Sequence, residues 1–162
     1  MRYYPVALKL KGVYVLVIGG GKVAQRKAIG LLTAGAKVTV ISPKATKVLE
    51  RLADKAELNW LKRKVSKNDL AKARIVIAAT NDALVNKNIS LWSKKQGILV
   101  NIVDNSVLST FISPAVFKND KAVIAVNSNA RDPELSRDLK NFLKEQWSEF
   151  LSYRSRLQKR TS

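Results

Sequence analysis

Histidine and cysteine are both missing from the 162 residues of this chain. Without cysteine there is no disulfide and no thiolate nucleophile. Without histidine the commonest general base and metal ligand are gone, so a catalytic zinc site of the usual kind is excluded and no metal site is expected. No apolar run reaches the roughly 18 residues of a membrane span. The opening MRYYPVALKLKG has no continuous apolar core of a secretory signal, so a cytoplasmic protein with no membrane partner is expected. Acidic residues are scarce as well: 12 Asp+Glu stand against 30 Lys+Arg, a formal net charge of +18. Such a field suits nucleic acid, an acidic membrane surface or a polyanionic small molecule. The basic residues are spread along the chain, which favours a broadly basic surface over a dedicated nucleic-acid arm. Few aromatics interleave with them, which argues against a single-strand stacking platform.

What is present is enough for one folded domain with a sizeable core, since 46% of the residues are apolar. The chain is organised around VYVLVIGGGKVA, residues 13–24. A β-branched and aliphatic run predicts a strand buried on both faces. Gly19, Gly20 and Gly21 follow, and a helix pattern opens at Lys22. Strand, glycine turn and helix in register give a G-x-G-x-x-A match its meaning. Gly19 allows the tight turn, Gly21 lets the backbone approach a diphosphate, and Ala24 packs helix on strand. The helix N-terminus directs N–H groups and a positive dipole end at the anion. These residues predict a dinucleotide site.

Strands are expected over residues 13–18, 37–41, 58–64, 74–79 and 98–103, with helices over 22–34, 46–54 and 83–95 and a short helical turn over 67–73. Gly35 and Gly97 stand where helices stop. Strict alternation of strand and helix predicts an α/β fold, a Rossmann-like doubly wound parallel sheet. After Asn105 the pattern changes. Short strands over 115–117 and 122–126 flank a hairpin turn, and one long helix begins at Asp132-Pro133-Glu134. Its apolar positions are Leu135, Leu139, Phe142, Leu143, Trp147, Phe150, Leu151 and Leu157. Either a second copy of the chain or the chain's own hairpin would cover that stripe. The expected organisation is a nucleotide-binding domain over 1–112, then a hairpin and helix region over 113–162 for dimerisation and substrate.

In such a sheet ligands bind at the carboxyl ends of the strands. The second strand normally ends in an acid that holds the ribose 2′-OH of NAD. Here the position falls on Ile41-Ser42 with Lys44 close by, and NADP stays open as an alternative to NAD. Asp104 closes the fifth strand and, with no histidine present, is a plausible proton acceptor; a turn aspartate in Asp104-Asn105-Ser106 is the other reading.

The segments VIGGGKVAQRKAIGLLTAGAKVTVISP, IAATND with Asn86 after it, VNIVDN, FISPA and AVNSNARDPELSRDLK occur in that order. As a set they resemble the precorrin-2 dehydrogenase / sirohydrochlorin ferrochelatase family of siroheme synthesis, from about Tyr4 to Lys144. The resemblance implies NAD-dependent oxidation of precorrin-2 to sirohydrochlorin; a homodimer is the assembly expected from the last helix's stripe. The family's catalytic aspartate matches Asp104. Its NAD contacts match Lys22, Val23, Ser42 and Pro43, added to Gly19 and Gly21, while Thr80 and Asn101 match crevice positions near the nicotinamide. Ser128 matches a serine beside the tetrapyrrole. Arg131 and Arg137 would clamp its carboxylates, since guanidinium pairs such groups bidentately. A polycarboxylate substrate gives the positive charge a partner without nucleic acid. Iron insertion is a second, separable activity of the family, for which Asp104 would accept pyrrole protons. The family's loop before the last helix is usually glycine-rich, whereas here it is Ser128-Asn129-Ala130-Arg131-Asp132-Pro133, so a different loop shape is expected. A non-catalytic NAD-sensing module is the alternative, with a basic nucleic-acid binder behind it.

Overall fold

The computed structural model describes residues 3–103 and 105–161. These form two compact units, Pro5–Ile112 and Ser113–Ser162 together with Met1–Tyr4. In the larger unit the aliphatic runs become β1 (Tyr14–Ile18), β2 (Lys37–Ile41), β3 (Asn59–Leu61), β4 (Ile75–Ala78) and β5 (Leu99–Ile102). All pair in parallel in the order β3-β2-β1-β4-β5. Between them lie the helices α1 (Lys22–Thr33), α2 (Lys47–Asp54) and α3 (Ala83–Lys95) and a 3-10 turn, Lys67–Lys72.

Strand periodicity sorts the core. Val15 and Val17 of β1, Val38 and Val40 of β2, and Ile75 and Ile77 of β4 pack on one face with Ala24 and Ala28 of α1 and Leu49 of α2. Leu16, Ile18, Val76, Ala78, Val100 and Ile102 pack on the other with Ile89 of α3 and Leu70. Both faces are thus covered, which is why these strands read as continuous apolar runs. The small residues Ala24 and Ala28, one turn apart and fully buried, let α1 lie close on the sheet. The observed β3 is shorter than the segment 58–64 expected from the sequence. As an edge strand it pairs only with β2, and Lys62 onward leaves the ladder.

All three helices of this unit close with the same hydrogen bonds. The N–H groups of Ala36, Glu57 and Ile98 each reach back to the carbonyls of Leu31, Leu52 and Ser93 at about 3.0 Å. The residue before each donor is left-handed: Gly35 (φ 80°), Ala56 (φ 57°) and Gly97 (φ 65°). Only the α2 end carries a β-carbon there. An L side chain in that conformation costs about 1–2 kcal/mol, part of which glycine returns through the freer unfolded chain. Ala56→Gly should therefore raise unfolding stability by about 0.5–1 kcal/mol, measured by denaturant midpoint.

The link from β3 to β4 is braced by charge. Arg63 donates to both Asp69 oxygens at 2.8 and 2.6 Å, and the Ser66 N–H reaches Asp69 at 2.6 Å. The Arg63 hydrogen bonds come first among the causes that hold the Asp69 carboxyl at about 2, below its ordinary 3.8. The folded value is the depressed one, so the stabilisation is complete above about pH 4 and is lost as pH falls through about 2. Arg63 is half exposed, so solvent screening keeps the effect small. Acid unfolding of Asp69→Asn should lose that increment of pH dependence between pH 4 and pH 2, read by circular dichroism.

In the smaller unit β6 (Ala115–Lys118) and β7 (Val123–Val126) form an antiparallel hairpin. Its turn is fixed by Asn119, whose side-chain oxygen accepts from the N–H groups of Lys121 and Ala122 at 2.8 and 2.9 Å. The long helix expected from the apolar stripe is two helices, α4 (Pro133–Glu145) and α5 (Trp147–Thr161), which meet at Gln146. Phe117 of the hairpin meets the Trp147 ring edge-on at 5.6 Å. Leu143, Trp147 and Leu151 are half-buried, while Leu135, Leu139, Phe142 and Phe150 stay exposed. The stripe is therefore shared between the hairpin side and an open side.

Candidate functional site

Strand order reverses between β1 and β4, so the connections leave in opposite directions and open a crevice at the carboxyl ends. The three glycines fill the head of it, and each is glycine for a different reason. Gly19 has φ 119°, and a β-carbon there would lie 2.3 Å from the Ala79 carbonyl oxygen. On Gly20 it would lie 1.9 Å from the Lys44 carbonyl oxygen and 2.7 Å from Ser42 Oγ. The Gly19 N–H donates to Ile41 O at 3.0 Å, and Gly20 O accepts from the Thr46 N–H at 2.9 Å. The turn is thus wedged between the ends of β2 and β4. Gly21 is unlike its neighbours, because a β-carbon there would meet no protein atom within 4 Å.

Gly21 is also the N-cap of α1. No side chain caps that helix end, and its first turn holds no acid. The N–H groups of Lys22 and Val23 begin a dipole that no acid in the helix's own first turn neutralises. Open space above a glycine and an uncapped helix end are what a diphosphate needs, so the residues present fit a dinucleotide.

The other residues expected at the crevice are placed as follows. Ser42 is buried, and its hydroxyl and carbonyl both accept from Trp60 Nε1 at 3.1 Å. Pro43 beside it is exposed. Thr80, at the end of β4, donates to Asn86 Oδ1 at 2.7 Å and its carbonyl accepts from Asn86 Nδ2 at 3.0 Å. That exchange closes the turn into α3, which Asp82 caps through the N–H groups of Leu84 and Val85. Asn101 is buried in β5 and its amide donates to Phe111 O at 3.2 Å, so it braces the returning chain. Asp104 lies outside the described residues.

Ser128 and Arg131 belong to the smaller unit, in the loop between β7 and α4. The Ser128 hydroxyl is engaged by the Asp132 backbone and by Ser136 Oγ, the latter at 3.0 Å. It builds the loop. Arg131 is exposed and forms no ion pair among the described residues, whereas Arg137 is paired with Asp138 at 3.0 Å. Asn129 and Ala130 are both left-handed, at φ 58° and 59°. The chain therefore makes with an alanine a turn that glycine makes without strain.

For three residues of the crevice the sequence showed no role, although Gly20 and Asn86 stand in its motifs. Gly20 sits at a variable position of the motif, yet it has the tightest surroundings of the three glycines. The run of three glycines was its only signal. Trp60 fixes Ser42 from 18 positions away, and nothing local announces it. Asn86 is the partner of Thr80, and its six-residue spacing is too long for a turn signal.

An NAD(P)-binding family model matches residues 6–115. The siroheme synthase of Chromobacterium violaceum is 39% identical over 140 residues, which are 86% of this chain and 30% of that protein. The siroheme synthase of Methylococcus capsulatus has the same identity and coverage. The chain thus spans about a third or less of the curated relatives it matches. The solved structure of SirC, precorrin-2 dehydrogenase, superposes with a TM-score of 0.79 at 31% identity, covering 93% of this chain and 78% of that one.

Proposed function

The chain belongs to the NAD(P)-binding family that includes the siroheme synthases and SirC, and from that premise we propose that it oxidises precorrin-2 to sirohydrochlorin with NAD. The observation that carries this reading is the open space above Gly21 at an uncapped helix end, next to two glycines closed off by protein.

NAD, when bound, supplies the acceptor for a hydride. The substrate loses two hydrogens, one as that hydride and one as a proton. Gly21 admits the diphosphate, and the N–H groups of Lys22 and Val23 bind it. Gly19 holds the turn against β4, Ser42 and Pro43 border the adenosine ribose, and Thr80 and Asn101 border the nicotinamide. The Trp60 and Asn86 hydrogen bonds keep two of these walls in place before the cofactor arrives, which lowers the cost of ordering them on binding. Asp104 accepts the proton. Residues 1–112 are the NAD-binding domain. Residues 113–162 serve substrate and dimerisation: Arg131 meets a substrate carboxylate, Ser128 shapes the loop beside it, and a second copy covers Leu135, Leu139, Phe142 and Phe150.

Anaerobic mixing of the full chain with NAD and precorrin-2 should raise the absorbance of reduced nicotinamide together with that of sirohydrochlorin. Stoichiometric NAD binding with neither change would leave an NAD-sensing module and remove the enzyme.

A further inference from the structure

β5 is the last strand on its side of the five-stranded sheet, so the outward N–H and C=O groups of Val100 and Ile102 face away from the ladder. The returning chain meets them with two neighbouring hydroxyls. Thr110 Oγ1 accepts from the Val100 N–H at 2.8 Å, and the Thr110 N–H donates to Val100 O at 2.8 Å. Ser109 Oγ accepts from the Ile102 N–H at 2.9 Å. The two hydroxyls differ in where they send their protons. Thr110 Oγ1 donates to Val100 O at 3.3 Å, closing on the residue it already accepts from. Ser109 Oγ has Ile102 O at 3.3 Å but Asn105 O at 2.8 Å, and the shorter bond takes its one proton. A single oxygen thus clips residue 102 to residue 105, and Val103-Asp104 is the link it spans. The clip is held in turn. The Asn105 N–H donates to Ile102 O at 3.1 Å, Asn105 Oδ1 accepts from the Leu108 N–H at 3.1 Å, and the buried Ser90 hydroxyl donates to Leu108 O.

We propose that Ser109 is a positioning residue for the oxidation, fixing the backbone on both sides of the proton acceptor, Asp104. The inference rests on the reading of Asp104 as that acceptor and deepens it. A general base works only within hydrogen-bond reach of the proton it takes, and a displacement of about 1 Å can cost about 10²-fold in rate. The ladder to β4 ends with the Val103 N–H on Ala78 O, so the chain beyond depends on other bonds. Ser109 Oγ supplies one on each side of the link. Without that oxygen the Asn105 N–H to Ile102 O bond is left to close the link alone among the described residues.

The test compares Ser109→Ala with Thr110→Val in the full chain, each deleting one of the two edge hydroxyls. Both should lower the melting temperature by comparable amounts. In anaerobic single turnover with NAD and precorrin-2, Ser109→Ala should be slower by about tenfold or more. Its NAD affinity and half-saturating precorrin-2 concentration should stay within about threefold of the parent. Thr110→Val should turn over like the parent, which separates a role in the reaction from closure of the sheet edge. Added to Asp104→Asn, Ser109→Ala should slow turnover by less than about twofold more, because a residue that acts through another loses its effect once the other is gone. Parent-like turnover in Ser109→Ala, an equal slowing in Thr110→Val, or the full loss repeated on Asp104→Asn overturns the inference and leaves Asp104 as the acceptor. Parent-like turnover in Asp104→Asn alone removes the acceptor reading, and this inference with it.

Discussion

Gly21→Ala is expected to fold and melt like the parent and to lose dinucleotide affinity by about 100-fold, or about 2.7 kcal/mol. The two halves of that result have separate causes. The added methyl meets no protein atom within 4 Å, and Gly21 has φ −80°, which alanine adopts freely, so the fold has no reason to respond. The same methyl stands where a diphosphate must approach the backbone to reach the first N–H groups of α1. Gly20→Ala gives the opposite pattern. Its methyl would lie 1.9 Å from a backbone carbonyl oxygen, so β2's exit must move, at a cost of about 1–3 kcal/mol or more in stability. Thermal unfolding and calorimetric NAD titration on both variants check the pair. Parent-like NAD affinity in Gly21→Ala would place the diphosphate elsewhere and undo the proposed site.

The contrast between these glycines shows what was legible beforehand. Strand, glycine turn and helix could be read from residues 13–24 because each signal is local: β-branched run, glycines, then 3.6-residue spacing. Gly35 and Gly97 could likewise be read as helix ends, and both are left-handed in the structure. The alanine that does the same work at the end of α2 gave no signal, because its conformation is imposed by the Glu57 to Leu52 hydrogen bond rather than by its own preference. Long-range pairings were equally silent. Trp60 with Ser42 and Asn101 with Phe111 join residues that only the folded sheet brings together. The break at Gln146 was hidden for another reason. The apolar stripe keeps helical spacing through it, and the turn there costs the pattern nothing: Gln146 and Phe150 still donate to Phe142 and Gln146 at 2.9 and 3.0 Å.

Asp104→Asn should bind NAD as the parent does and turn over precorrin-2 about 10²–10⁴-fold more slowly, the range by which a positioned general base accelerates proton transfer. The proposed oxidation removes a proton as well as a hydride, and the chain has no histidine or cysteine to take it. Asparagine keeps the size and hydrogen-bonding shape of the side chain but has no basic oxygen. The flanking backbone is pinned independently of that side chain: the Val103 N–H donates to Ala78 O at 2.9 Å and the Asn105 N–H to Ile102 O at 3.1 Å. The substitution should therefore spare the fold, and a matched NAD titration distinguishes lost chemistry from lost binding. Single-turnover measurement is the decisive one, because a slow product release in the parent would mask part of the loss at steady state. Parent-like single-turnover rates in Asp104→Asn would assign the proton to solvent, and the protein's part in the reaction would shrink to holding NAD and tetrapyrrole in register.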